Sequence, residues 1–225
     1  MTETTRFAMP ESAIGLFPDV GASLFLGRCP KSVARLMGMT GHIVGAADCL
    51  LLGLATAQVP SESLAGLKEK LLQCNVDEID TIITQFQCDA GQSSLASQRQ
   101  LIDYIFADGS VESMRDRAAD LAENMPHNRL LGSIVTAFET RCPLSTKLFD
   151  RLLVETNHLT DPVAAIELDF HLALRMTKRA DFAEGIRAIV IDKDQAPQWT
   201  PNSLEAVTET MLDAVFDRSG LPSLR

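Results

Sequence analysis

The sequence has little positive charge. It contains 20 lysines and arginines against 30 aspartates and glutamates, which gives a formal net charge of −10 at pH 7 over 225 residues. A strongly anionic chain is repelled by the phosphate backbone of nucleic acids and by anionic membrane surfaces. We therefore expect neither nucleic acid nor a membrane as a partner of this protein.

Paired cysteines and long apolar runs are also missing. The five cysteines form no C-x-x-C pair and are odd in number, which favours reduced thiols in a reducing compartment. The first twenty residues contain no apolar core of a secretory signal, and the longest apolar stretches are far too short to cross a bilayer. These absences favour a soluble protein of the cytoplasm.

Several common chemical motifs are absent as well. The sequence has no P-loop and no G-x-G-x-x-G, and its four histidines do not stand at metal-ligand spacing. Asp169 and His171 are two residues apart on a predicted helix and are expected to point to different faces. Near the C-terminal end, Arg187 is expected to pack with the acidic turn 192–194, and Trp199 to be a buried anchor.

The apolar residues that are present divide the chain into two parts. From residue 60 onward they recur at helical spacing, as in Leu64, Leu67 and Leu71. The first part is rich in loops, with one short strand predicted from the Thr-rich segment 2–6 through Phe7 and ending at Pro10, and another over 54–59. We therefore predict an α-rich α/β fold with domains at residues 1–59 and 60–225.

Helix starts are indicated by capping residues. Ser110 is a typical N-cap, and Asp161 followed by Pro162 is a strong start signal because proline suits the first helical position. Ser203 is predicted to begin the last helix.

Two carboxylates flank a turn that is rich in glycine and proline. Glu11 follows Pro10 and Asp19 follows Pro18, so the two acids are eight residues apart. Acids brought together in apolar surroundings can have their pKa values pushed apart, so that one acts as a base and the other as a hydrogen-bond partner. The alternative is two solvated acids on a surface loop, and the pattern taken alone favours that alternative.

Two long motifs favour the interpretation as paired acids over that as solvated surface acids. The segment 7–21, FAMPESAIGLFPDVG, resembles the acid-bearing loop of the crotonase (enoyl-CoA hydratase/isomerase) superfamily, and within it the 3-hydroxyisobutyryl-CoA hydrolase branch. The segment 181–199, DFAEGIRAIVIDKDQAPQW, resembles the C-terminal signature of that branch. The similarity extends from about Phe7 to Phe216. It implies the latter part of a crotonase-like fold, with few short strands followed by a mainly helical region.

The resemblance also implies an activity, the hydrolysis of a short 3-hydroxyacyl-CoA thioester such as 3-hydroxyisobutyryl-CoA in valine breakdown. Glu11 matches the catalytic acid that activates water or attacks the thioester carbonyl. Asp19 matches a second acid that contacts the substrate and orients it, at a position where hydratases usually have glycine. The acyl-CoA is then the small-molecule partner, no metal or redox cofactor is required, and a eukaryotic location would be the mitochondrial matrix.

The resemblance finally implies that part of the site is missing. In crotonase-like enzymes two backbone N–H groups N-terminal to the Pro-Glu motif stabilise the charge on the thioester oxygen, and such donors commonly supply about 3–4 kcal/mol each. Only ten residues precede Glu11 here. We therefore expect the chain to resemble the C-terminal portion of the enzyme, to be inactive alone, and to self-associate through an apolar face around residues 7–59. Two other functions remain open, an enoyl-CoA hydratase or isomerase and a non-catalytic helical fragment.

Overall fold

A computed structural model describes residues 1–222 of the chain, and this part is mainly helical. It contains thirteen α-helices in the order α1 Ala22–Gly27, α2 Lys31–Thr40, α3 Ala46–Leu51, α4 Leu64–Gln73, α5 Ile79–Phe86, α6 Ser94–Ser97, α7 Arg99–Ile105, α8 Val111–Asn124, α9 Arg129–Thr140, α10 Pro143–Glu155, α11 Pro162–Met176, α12 Ala180–Ile186 and α13 Glu209–Phe216. Short 3₁₀-helices span Glu11–Ile14, Ser61–Ser63 and Val76–Glu78, and a π-helix spans Arg187–Ile191.

The described chain forms two compact units. The first unit consists of Met1–Ala8 and Ile43–Arg99, and the second of Met9–His42 and the residues from Gln100 onward. The domain boundary predicted between residues 59 and 60 falls inside the first unit. The division into domains at residues 1–59 and 60–225 stays a prediction.

The two predicted strands do not form. Residues 1–222 contain no β-strand, and Phe7 and Val44 make an isolated antiparallel bridge. The segment before Phe7 turns back on itself because the Thr5 N–H donates to the Thr2 carbonyl, 3.0 Å, and the Thr2 N–H donates to the Thr5 hydroxyl, 2.9 Å. Such local hydrogen bonds compete with the pairing that a strand requires. Residues 54–59 run as a loop whose backbone hydrogen bonds go to Cys49, Met1 and Cys88 and do not form a strand ladder.

The helix caps confirm two of the predicted starts. The Ser110 hydroxyl accepts from the Ser113 N–H, and the Asp161 carboxylate accepts from the Val163 N–H. The start predicted at Ser203 is wrong, because Ser203 closes only a turn with Ala206 and the last helix begins at Glu209, with Thr208 as its N-cap.

The second unit is built around α2, which lies against α10. Nine of the ten residues of α2 are buried. Close approach depends on Gly38, where a Cβ atom would lie 2.0 Å from the Phe149 ring of α10. This packing gives the second unit a rigid frame next to the Pro10–Gly21 segment, whose Phe17 is fully buried. No helix in residues 1–222 is both long enough and apolar enough to span a membrane.

Candidate active site

Glu11 is the first residue of the 3₁₀-helix Glu11–Ile14, in the second unit. Two hydrogen bonds fix the next residue, Ser12. Its hydroxyl donates to the Met39 carbonyl of α2, 3.1 Å, and its carbonyl accepts from the Cys142 N–H, 3.0 Å. Because Ser12 is fully buried between these elements, the turn that carries Glu11 is held on the frame of α2 and α10.

Two glycines let this turn lie directly on α12. Gly15 ends the 3₁₀-helix with φ +70°, a left-handed conformation that costs glycine no steric strain. A Cβ atom on Gly15 would lie 2.7 Å from the Asp181 carbonyl oxygen, and one on Gly185 would lie 2.4 Å from the Ile14 backbone. Backbone therefore packs on backbone, and no side chain separates the Glu11 turn from α12.

Asp19 lies in a strained part of the same loop. Val20 has φ +53° and Gly21 has φ +81°, so two successive residues are left-handed. Glycine adopts this conformation freely, whereas a β-branched residue does so only under constraint from its surroundings. Asp169 of α11 supplies one constraint, because its Oδ2 accepts from the Gly21 N–H at 2.6 Å.

The structure brings Glu11 and Asp19 within electrostatic range of each other. Burial raises the pKa of Glu11 above its usual value, its own backbone N–H opposes this, and the charge of Asp19 raises it further. Burial also raises the pKa of Asp19. Within residues 1–222, the buried Oε2 of Glu11 has no hydrogen-bond partner. The two acids are therefore partly desolvated neighbours, which differs from the solvated surface loop that the pattern alone favoured.

Asp169 is a third acid of this group, and its place beside Asp19 was not predicted from the sequence. It is buried, with 4% of its surface exposed. Burial raises the pKa of Asp169 to about 6, and the charge of Asp19 adds to the rise against the opposing Gly21 N–H. The available signal was its place on the apolar face of α11, between the buried Ala165, Leu168 and Leu172.

A raised pKa makes a carboxylate a stronger base, provided that it is ionised at the working pH. The buried Oε2 of Glu11 has no hydrogen-bond partner within residues 1–222, and the charge of Asp19 is near enough to raise the pKa of Glu11. In the described part of the chain, no three His, Cys, Asp or Glu side chains are arranged to hold a metal ion. The catalytic and substrate-binding roles of Glu11 and Asp19 stay predictions.

The residues singled out near the C-terminal end have structural partners. Arg187 donates to Glu184, Asp192 and Asp194 at 2.6–2.9 Å, which confirms the predicted packing with the acidic turn. The hydrogen bonds that Glu184 accepts from Arg187 and from the Gln198 N–H lower its pKa to about 2. Trp199 is buried, as predicted, and its indole N–H donates to the Thr140 carbonyl at 2.9 Å.

Comparison with known sequences gives a family. The sequence model of the enoyl-CoA hydratase/isomerase family matches residues 1–216. "Probable 3-hydroxyisobutyryl-CoA hydrolase 2" of Arabidopsis thaliana is 36% identical over 225 residues, which cover 96% of this chain and 59% of that protein. The mitochondrial 3-hydroxyisobutyryl-CoA hydrolase of Danio rerio is 31% identical, over 96% of this chain and 57% of the relative. The chain thus spans a little under three fifths of the length of these relatives.

Solved structures agree with the sequence comparison. A carnitinyl-CoA dehydratase from Mycobacterium thermoresistibile superposes with a TM-score of 0.87 at 25% identity, covering all of this chain and 62% of that one. An enoyl-CoA hydratase from Rhodobacter sphaeroides 2.4.1 gives 0.85 at 28% identity, with 100% and 63% coverage. The predicted resemblance and the predicted fold class are confirmed. The chain belongs to the enoyl-CoA hydratase/isomerase family and has a crotonase-like fold, represented here by a mainly helical part.

Proposed function

We propose that the protein hydrolyses a short 3-hydroxyacyl thioester of coenzyme A, such as 3-hydroxyisobutyryl-CoA. The observation that carries this proposal is the pairing of two partly buried acids, Glu11 and Asp19, whose pKa values are both raised. The names of the relatives support the same chemistry. Asp19 favours hydrolysis over hydration, since the resembling hydratases usually have glycine at that position.

In the proposed reaction, Glu11 takes a proton from water as the water oxygen bonds to the thioester carbon. The C–S bond then breaks, the proton passes to the leaving sulfur, and the products are a 3-hydroxy acid and free coenzyme A. The alternative route has the Glu11 carboxylate attack the carbonyl itself, with water then opening the acyl intermediate. On either route Asp19 accepts a hydrogen bond from the substrate hydroxyl and orients the acyl group.

Thiol release from 3-hydroxyisobutyryl-CoA tests the proposal. The 225-residue chain is assayed alone and, where the gene encodes residues before Met1, together with them. We expect Glu11→Gln to lower the rate by about a hundredfold or more, and exposed Glu123→Gln to leave it unchanged. The rate should fall on acidification through the raised pKa of Glu11, since the ionised form is the one that acts.

The chain alone is expected to release little thiol, because in the resembling enzymes the oxyanion donors precede the Pro-Glu motif. Fast release by the chain alone would contradict this expectation. Full activity in Glu11→Gln would contradict the proposed role of Glu11. No release from either form would favour the non-catalytic fragment.

Enoyl-CoA hydration is the second candidate, and the name of one superposed structure, the enoyl-CoA hydratase from Rhodobacter sphaeroides 2.4.1, favours it. Asp19→Gly separates the two reactions. We expect this change to abolish thiol release, whereas hydration of crotonyl-CoA, followed by the loss of its ultraviolet absorbance, would be little affected. A variant that keeps thiol release would overturn the assignment of Asp19.

The location and the self-association stay predictions. Relatives named as mitochondrial favour the matrix if the protein is eukaryotic. Among residues 7–59, exposed apolar side chains include Val20, Ile43 and Leu51. Sedimentation velocity over a range of concentrations would detect the predicted self-association, and a monomer throughout would contradict it.

A further inference from the structure

Arg141, between α9 and α10, is a half-buried cation without a carboxylate partner. Its Nε donates to the Thr40 carbonyl at 3.2 Å, and no Asp or Glu of the described chain lies within ion-pair distance of it. Arg35 in the same unit shows the usual arrangement, because its Nε donates to Asp150 at 2.8 Å. Burial lowers the pKa of Arg141. A desolvated guanidinium is costly unless an anion pairs with it.

A cavity of about 460 Å³ lies beside Arg141, within the second unit. Its volume is within the range of small-ligand sites, roughly 300–1,000 Å³. None of the side chains that line it is acidic. The polar ones are hydroxyls and one amide, and they are contributed by Ser133, Thr136, Thr140 and Gln195.

The charge and donor pattern fit one class of ligand. A guanidinium edge matches a carboxylate with two parallel hydrogen bonds, and the Nη atoms of Arg141 have no partner within residues 1–222. One cation balances a monoanion, whereas a phosphate dianion would leave a surplus negative charge in a chain that already carries −10. The Ser133 and Thr140 hydroxyls donate to helix carbonyls and keep the capacity to accept, so they offer acceptors to a hydroxyl of the ligand.

We propose that this cavity binds a small monocarboxylate that carries a hydroxyl group, with its carboxylate on Arg141. The assignment rests on Arg141 and its surroundings, not on the chemistry of Glu11. The acid product of the proposed hydrolysis belongs to the same class. Binding is measured without turnover, so the failure of either proposal is seen independently of the other.

Trp199 provides the measurement. It is the sole tryptophan of the sequence, and its indole N–H donates to the carbonyl of Thr140, which borders the cavity next to Arg141. The chain is titrated with 3-hydroxybutyrate, acetate and inorganic phosphate at constant ionic strength. We expect a saturable change in Trp199 fluorescence with 3-hydroxybutyrate, weaker binding of acetate, and the weakest binding of phosphate.

Two variants test whether the change in Trp199 fluorescence comes from binding in the cavity. Arg141→Met should weaken 3-hydroxybutyrate binding by about tenfold or more, in line with the loss of a charge-assisted pair. Arg129→Met, at the exposed start of α9, removes the same charge and should leave the affinity unchanged. Should Arg141→Met fail to fold, the ¹⁵N shift of the Arg141 Nε in the unaltered chain reports binding directly.

Two results would overturn the proposal. The first is the absence of any saturable response in both the fluorescence and the Arg141 shift. The second is equal affinity in the chain and in folded Arg141→Met. Tighter binding of phosphate than of either carboxylate would overturn the assignment of the ligand class.

Discussion

The carboxyl group of Asp169 is nearly enclosed by protein, and only one of its two oxygens is hydrogen-bonded. Oδ2 accepts from the Gly21 N–H, whereas the buried Oδ1 has no partner within residues 1–222. Burial raises its pKa to about 6 from an ordinary 3.8. Because the folded state then binds the proton more tightly than the unfolded state, stability falls as the pH rises from about 4 to 6. At neutral pH the charged group costs on the order of 3 kcal/mol.

Asp169→Asn is neutral at every pH and keeps an acceptor for the Gly21 N–H. We expect it to raise the free energy of unfolding by about 1–3 kcal/mol at pH 7 and to change it little at pH 4. Urea unfolding at the two pH values measures this, with Glu123→Gln as the exposed-acid control. An equal effect at both pH values would show that the ionisation of Asp169 is not the cause.

At the scale of elements, α12 and the Glu11 turn meet without side chains between them. The contact places the Gly185 Cα hydrogens against the Ile14 backbone, where a Cβ atom would lie at 2.4 Å. Backbone on both sides cannot move aside as the end of a long side chain can. The position of Glu11 therefore depends on a glycine more than 170 residues later in the sequence.

Gly185→Ala should lower the free energy of unfolding by about 1–3 kcal/mol, the usual cost of overpacking. Gly132→Ala is the matched control. Gly132 lies inside α9, and a Cβ atom there meets nothing within 4 Å. The free energy of unfolding of this control should rise by about 0.5–1 kcal/mol because alanine favours the helix more than glycine does. Urea unfolding measures both variants. A Gly185→Ala variant as stable as the unaltered chain would mean that the turn and α12 separate easily.

At the scale of the whole molecule, burial is unevenly spread between helices. Helices α4 and α5 of the first unit contain no buried residue, whereas α2 of the second unit is buried along almost its whole length. Helices with few buried apolar contacts open locally at low free-energy cost. Their backbone hydrogen bonds are therefore the ones most often exposed to solvent.

Amide hydrogen exchange should show this difference. We expect the interior amides of α4 and α5 to exchange at least about a hundredfold faster than those of α2 and α10, which corresponds to roughly 3 kcal/mol in opening free energy. Mass spectrometry of peptides from each helix, at a pH where exchange follows the opening equilibrium, measures the ratio. Equal protection of the four helices would contradict the prediction and would mean that the units open together.

The elements that the sequence predicted correctly rest on local interactions. Ser110 and Asp161 cap their helices through backbone groups two or three residues away, so the pattern contains the whole cause. The roles of Glu11 and Asp19 stay predictions, and the two acids were singled out because both stand in the segment 7–21 that resembles the acid-bearing loop of the family. Ser203 was predicted wrongly, since a serine that closes one turn has the same local sequence pattern as one that begins a helix.

The sequence by itself determined the helical character of the chain, its family and its two candidate acids, because periodicity and motifs are properties of neighbouring residues. Only the tertiary structure decided that Asp169 joins those acids and that Arg141 faces a cavity without a carboxylate. Both depend on residues more than a hundred positions apart in the chain. Long-range packing decides which groups are desolvated and which charged groups lie close together. Desolvation and nearby charges shift the pKa values of a site and so control its chemistry.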